Sequence, residues 1–192
     1  LNRHQITGAH RIESDCRHIN MNCLASELLK EPQSIRSLFV YNSNPAAVAP
    51  DSSKVREGLS RDSLFTVVLE HFQTDSADYA DYLLPATTFL EHPDVYTSYG
   101  HYYLQYADAV VEARGQARTN RWIFQQLANR LGLDAPELHL DTRELIDAML
   151  DSPNPYLKGI NRSMLMSERS IKLSLPRPFL PYSQGSHFPD GK

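Results

Sequence analysis

Three short loops in this sequence carry the residue types that bind polar ligands. The first is Asn42-Ser43-Asn44-Pro45, whose two amides offer donor and acceptor edges suited to a phosphate, a ribose or a purine edge. The same residues are the usual turn formers, so a plain proline-containing turn is the competing reading. The second is Glu70-His71, because an acid at a strand end accepts both hydroxyls of a ribose in dinucleotide folds. An isolated acid there is more often an ordinary solvated group. The third is Glu91-His92-Pro93-Asp94, which imitates a metal cluster. Its internal proline and the lack of helical His spacing argue against direct metal ligation. No glycine-rich phosphate loop occurs, and no Ser or Cys stands beside a His/Asp relay in sequence. Cys16 and Cys23 have neither zinc-knuckle nor iron–sulfur spacing and read as two unpaired thiols.

Such loops need strands to present them. Residues 37–41 (SLFVY) and 64–69 (LFTVVL) are short apolar runs flanked by breakers, the pattern of strands buried on both faces. Tyr82-Leu83-Leu84 reads as a third, stopped by Pro85. Between them lie a predicted helix at 51–60, opened by Asp51 or Ser52, and one or two capped helical turns within 74–82. Strand–helix–strand–helix–strand with short connections predicts α/β architecture with parallel strands and ligand loops at their carboxyl ends.

The flanking segments are less regular. Residues 20–30 fit a short helix ended by Glu31-Pro32-Gln33, and residues 101–111 form an extended aromatic stretch expected to cover a sheet edge. The clearest helix runs over 120–131, with Trp122, Ile123, Leu127 and Leu131 on one stripe. Thr119 or Asn120 caps its start, and Gly132 sits where a left-handed cap belongs. A second helix is predicted over 142–150, with Asp141 and Glu144 in capping-box spacing. Half of the twelve prolines follow residue 152, which predicts an irregular tail.

With 192 residues the chain has room for one domain and an appendage, and 41% hydrophobic against 22% charged residues is ordinary globular composition. A formal net charge of −4 supplies no basic field for nucleic acid. No apolar run approaches the ~18 residues of a membrane span. Starting at Leu1-Asn2-Arg3-His4-Gln5 and stopping at Phe188-Pro189-Asp190-Gly191-Lys192, the chain reads as an internal segment; a trimmed small protein would look the same.

The ordered motifs carry a resemblance. Residues 38–45 (LFVYNSNP), Phe65-Thr66-Val67-Val68 and residues 74–92 (TDSADYADYLLPATTFLEH) are similar to large catalytic subunits of the dimethyl-sulfoxide-reductase family, which includes formate dehydrogenases and nitrate reductases. The Ala80-Asp81-x-x-Leu84-Pro85 core with Glu91 six residues on, Ser98-Tyr99-Gly100-His101, Leu127-Ala128-Asn129-Arg130-Leu131-Gly132 and a tail from Pro181 to Lys192 extend the likeness. Gly115-Gln116-Ala117 replaces the usual Gly-Glu-Ala.

The resemblance implies a molybdopterin oxidoreductase segment: a partial parallel-sheet, dinucleotide-binding-like α/β domain with flanking helices and an irregular proline-rich tail. It implies a lead-in over 1–35, a molybdopterin guanine dinucleotide segment over 36–135, and a helix with an irregular extension over 136–192. Position by position, Asn42, Ser43, Asn44, Glu70, His92 and Asn120 would approach the cofactor, Asn120 near the guanine. On its residue type alone Asn120 is equally a helix N-cap. The metal, molybdenum or tungsten, and an iron–sulfur cluster would be held by residues outside this chain, so no catalytic or metal-ligating residue is assigned within it. Expected partners are the remaining domains of the same polypeptide and electron-transfer subunits, with self-association of the isolated segment through an exposed apolar flank. A standalone non-catalytic scaffold of the same fold is the alternative.

Overall fold

A computed structural model describes residues 17–180; Cys16 and the motif from Pro181 to Lys192 lie outside the described residues. The described chain forms two compact units, one of residues 17–94 with 108–142 and one of residues 95–107 with 143–180.

The first unit is built on three strands, β1 (Ser37–Tyr41), β2 (Phe65–Glu70) and β3 (Tyr82–Pro85), parallel and in the order β1-β2-β3. Tyr41 lies opposite Leu69, Leu69 opposite Leu84 and Glu70 opposite Pro85, so all three strands end level and release their loops on one edge. Register is held at the other end by Asp81. Its carboxylate accepts from the Thr66 N–H at 2.7 Å, and its own N–H donates to the Thr66 carbonyl at 2.8 Å. That is what the Asp of the Ala-Asp-x-x-Leu-Pro motif does here.

Three helices connect and cover this sheet: α1 (Leu24–Leu28), α2 (Pro45–Val48) and α3 (Ser52–Leu59). Leu28, Ala46, Val55, Leu59 and Leu64 pack with Leu38 of β1, and Val40 and Val68 close on Ala77 from the same face. Full burial of a side chain such as Leu28 contributes about 1.5–3 kcal/mol. On the opposite face Val67 and Leu69 are buried, while Phe39, Tyr41, Phe65 and Tyr82 remain exposed, with the Phe65 and Tyr82 rings 5.9 Å apart. Helix α4 (Asn120–Leu131) completes the unit. Thr119 caps it by accepting from the Trp122 N–H, and Gly132 ends it at φ +66°.

Two local expectations change. Asp51 occupies the cap position of α3 with φ +56°, yet its carboxylate pairs with Lys54 instead of capping the backbone. The helical turns expected within 74–82 shrink to a single 3-10 turn, Ala77–Tyr79, whose cap position Ser76 makes no cap bond. In both cases a side-chain partner won the group that the helix end would have used.

The second unit has its own sheet, β4 (Asp94–Tyr96), β5 (Tyr103–Ala107) and β6 (Ser170–Lys172), with β5 and β6 antiparallel. Leu104, Ile146, Leu157, Leu165 and Leu173 form its core with helices α5 (Thr142–Leu150) and α6 (Arg162–Glu168). The aromatic stretch at 101–111, expected to cover a sheet edge, instead supplies the middle strand of this sheet through Tyr103–Ala107, because Leu104 and Tyr106 alternate into the core. Between the prolines of the tail, the turn Pro155–Leu157, α6 and β6 are regular. No helix of the described residues is long and apolar enough to cross a membrane.

Candidate functional site

The carboxyl edge of the parallel sheet gathers the sequence-predicted residues. Asn42 follows β1 with φ +48°, a left-handed conformation that Asn tolerates better than most side chains. Its N–H donates to the Leu69 carbonyl at 3.4 Å. Its side-chain oxygen accepts from the Asn120 amide, also at 3.4 Å, across 78 residues of sequence.

Asn120 reaches that point because the chain before α4 runs alongside the end of β3. Arg118 donates its N–H to the Pro85 carbonyl and accepts from the Thr87 N–H, each at 3.1 Å, in a parallel bridge with Ala86. Thr119 then starts the helix, and Phe124 sets its ring edge-on to Tyr41 at 5.4 Å. Thr119 takes the cap role, so the Asn120 side chain is not used as one. Its Oδ1 is buried without a hydrogen-bond partner among the described residues. Such a group costs about 1–3 kcal/mol if nothing satisfies it. Ser43 is exposed and makes no hydrogen bond to a described residue.

The other predicted residues are placed differently. Asn44 turns its amide to the loop after β2: Nδ2 donates to Asp75 at 3.0 Å, and Oδ1 accepts from the Ser76 N–H at 3.1 Å and the Ser76 hydroxyl at 2.7 Å. Glu70 folds back on its own loop and accepts from the His71 N–H at 2.8 Å. His92 sets Nδ1 at 2.9 Å from the Thr87 hydroxyl, with Nε2 at 4.0 Å from Asp94. Thus Asn42 and Asn120 meet directly, while Glu70 and His92 bond to their own loops.

Two carboxylates in these loops are held below their ordinary range. For Asp75 the Asn44 amide is the largest cause, followed by a backbone N–H, with the Arg56 guanidinium adding to it. For Glu91 the causes are the Thr88 N–H, the Arg114 N–H and the Thr88 hydroxyl. Both are partners of backbone and neighbours rather than proton donors. Among the described residues no group of three His, Cys, Asp or Glu is arranged to hold a metal ion. Sequence reasoning missed Asp75, Ser76, Thr87 and Arg118. The one local signal was Thr74-Asp75-Ser76, whose residue types equally describe a helix start.

In open α/β sheets the ligand loops lie at the carboxyl ends of the strands, where these amides stand. The family model for molybdopterin oxidoreductases matches residues 10–130, more than half of the chain. The chain belongs to the molybdopterin oxidoreductase family. It is 43% identical over 166 residues to a probable oxidoreductase, YoaE, of Bacillus subtilis, covering 86% of this chain and 24% of that protein. A nitrate reductase of Symbiobacterium thermophilum is 30% identical over 112 residues, 58% of this chain and 14% of its own length. The structure of acetylene hydratase from Pelobacter acetylenicus superposes with a TM-score of 0.69 at 26% identity, covering 90% of this chain and 23% of that one. The molybdopterin-family chain thus spans less than a quarter of the length of each of these relatives. Its family implies a molybdenum or tungsten pterin cofactor. The edge offers amides, a free hydroxyl and an unpartnered buried acceptor, a donor and acceptor set that fits a polar organic group.

Proposed function

We propose that this chain forms one wall of the site for the guanosine–pyrophosphate arm of a molybdopterin guanine dinucleotide, inside a larger enzyme of two-electron redox chemistry. The observation that carries this reading is the Asn42–Asn120 amide pair at the carboxyl edge, with Asn120 Oδ1 buried and unpartnered. Asn42, Ser43 and Asn120 bind and orient the nucleotide end, Asn44 lies in the same loop, and Glu70 and His92 stand at the neighbouring strand ends. When bound, the cofactor supplies the molybdenum or tungsten redox centre, and the protein supplies its position. The metal ligand and an iron–sulfur cluster belong to residues outside this chain. Its partners are other parts of the same polypeptide and electron-transfer subunits. The four exposed aromatics on one face of the parallel sheet, Phe39, Tyr41, Phe65 and Tyr82, support this, since such sheets are normally covered on both faces.

The test uses the full-length protein that contains this chain. Asn42→Ala and Asn120→Ala should each lower co-purifying guanine nucleotide, measured by chromatography after acid denaturation. A drop of roughly five- to tenfold corresponds to one lost hydrogen bond in a desolvated site. Wild-type nucleotide content in both variants would sink the proposal.

A further inference from the structure

Both ends of the Asn44 amide are taken by residues 31 and 32 positions away, and those residues brace the same loop a second time. The Ser76 hydroxyl, on a side chain with no exposure, donates to Asn44 Oδ1 and accepts from the Ala46 N–H at 3.0 Å. Arg56 of α3 reaches the Ala46 carbonyl at 3.4 Å and Asp75 at 3.7 Å. We infer that Asn44, Asp75 and Ser76 form a latch that positions Asn42 and Ser43 for the ligand and does not itself bind it. This rests on the nucleotide-site reading above.

The loop needs such a device. Asn42 sits at φ +48°, a left-handed conformation that Asn tolerates at low cost but that nothing in the residue itself fixes. Its own N–H makes one long bond, and the helix that follows, α2, has four residues, too few to hold itself. The latch fixes the chain two residues after Asn42 through Asn44 and four residues after it through Ala46. It joins the loops that leave β1 and β2, the two strands whose level ends define the edge. Because Ser76 is buried, loosening the latch strands polar groups away from water, which keeps it shut.

Charge and geometry make the latch testable by exchange. Asn44→Asp removes the amide donor and sets a carboxylate against that of Asp75. Asn44→Asp with Asp75→Asn restores opposite hydrogen-bonding characters: the carboxylate at position 44 still accepts from both Ser76 donors and now also from an amide at position 75. Measured on the full-length protein by hydrogen exchange, the peptide spanning residues 42–48 should exchange about tenfold faster in Asn44→Asp and return to within about twofold of wild type in the double variant. Ser76→Ala is the second probe, expected to speed the same peptide. Exchange unchanged in Asn44→Asp and in Ser76→Ala, or no recovery in the double variant, overturns the latch. Guanine nucleotide content is read on the same samples. Its loss in Asn44→Asp and recovery in the double variant completes the inference, and recovery of exchange without recovery of nucleotide overturns the positioning role. The variants Asn42→Ala and Asn120→Ala separate the two ideas. If they lose nucleotide while Asn44→Asp keeps it, the latch role falls and the site reading stands; if they keep it, the site reading falls first.

Discussion

Glu91 meets three donors with two oxygens. The Thr88 N–H at 2.7 Å and hydroxyl at 2.9 Å bind one, and the Arg114 N–H at 2.8 Å binds the other. It ties the loop after β3 to the segment that leads to Asn120. These bonds favour the ionised form and hold the group below its ordinary value of 4.5. A carboxylate depressed in the folded state stabilises it fully above that value, and the contribution disappears as pH falls through the folded pKa. Glu91→Gln should therefore lower the melting temperature at neutral pH, and the gap to wild type should narrow as pH drops below 4.5. Parallel melting curves across that range check this; a gap independent of pH would show that the carboxylate's charge plays no part. As an acid beside a candidate loop, Glu91 was legible in the sequence. Its role was not, since the Arg114 N–H is 23 residues away.

At the scale of elements, the strands were readable because a short apolar run between breakers has few other uses. Their order and level ends follow from the short connections and from Asp81, and the three runs became β1, β2 and β3. The packing of α1 on α3 was not readable. It depends on Gly58, where a Cβ would lie 2.6 Å from the Leu28 Cβ, so only the missing side chain lets the helices approach. Gly58→Ala gains about 1 kcal/mol of helix propensity. It meets an overpacking cost of about 1–3 kcal/mol at a fully buried neighbour. A net loss of about 1 kcal/mol in denaturant melts is expected. A raised midpoint would contradict the close contact.

On the scale of the whole molecule, each unit has its own core, and neither core shares a buried residue with the other. Cores of this kind unfold as separate cooperative units. Leu165 is fully buried in the second unit, and Leu165→Ala should cost that unit about 2–5 kcal/mol. Segment-resolved hydrogen exchange should then speed up in β5 and β6 while β1 and β2 keep wild-type protection. Uniform acceleration in all four strands would mean one cooperative fold.

By itself the sequence determined the three parallel strands, the helices at 120–131 and 142–150, the class of architecture and, through ordered motifs, the family; the second sheet was not legible in it. Each of these is written in local patterns: apolar periodicity, breakers, caps and short motifs within one stretch of chain. Tertiary structure alone decided the site's inner wiring. Asn42 with Asn120, Asn44 with Ser76, and Thr87 with Arg118 are hydrogen bonds between residues 78, 32 and 31 positions apart. Side-chain amides and hydroxyls, like the backbone groups of loops, carry no record of which partner they will take. The resemblance put Asn44 beside the cofactor, where residue type alone left a plain turn open, and residue type made Asn120 an equally good cap. The fold turned Asn44 inward to Asp75 and Ser76, gave the cap to Thr119, and left Asn120 at the edge beside Asn42.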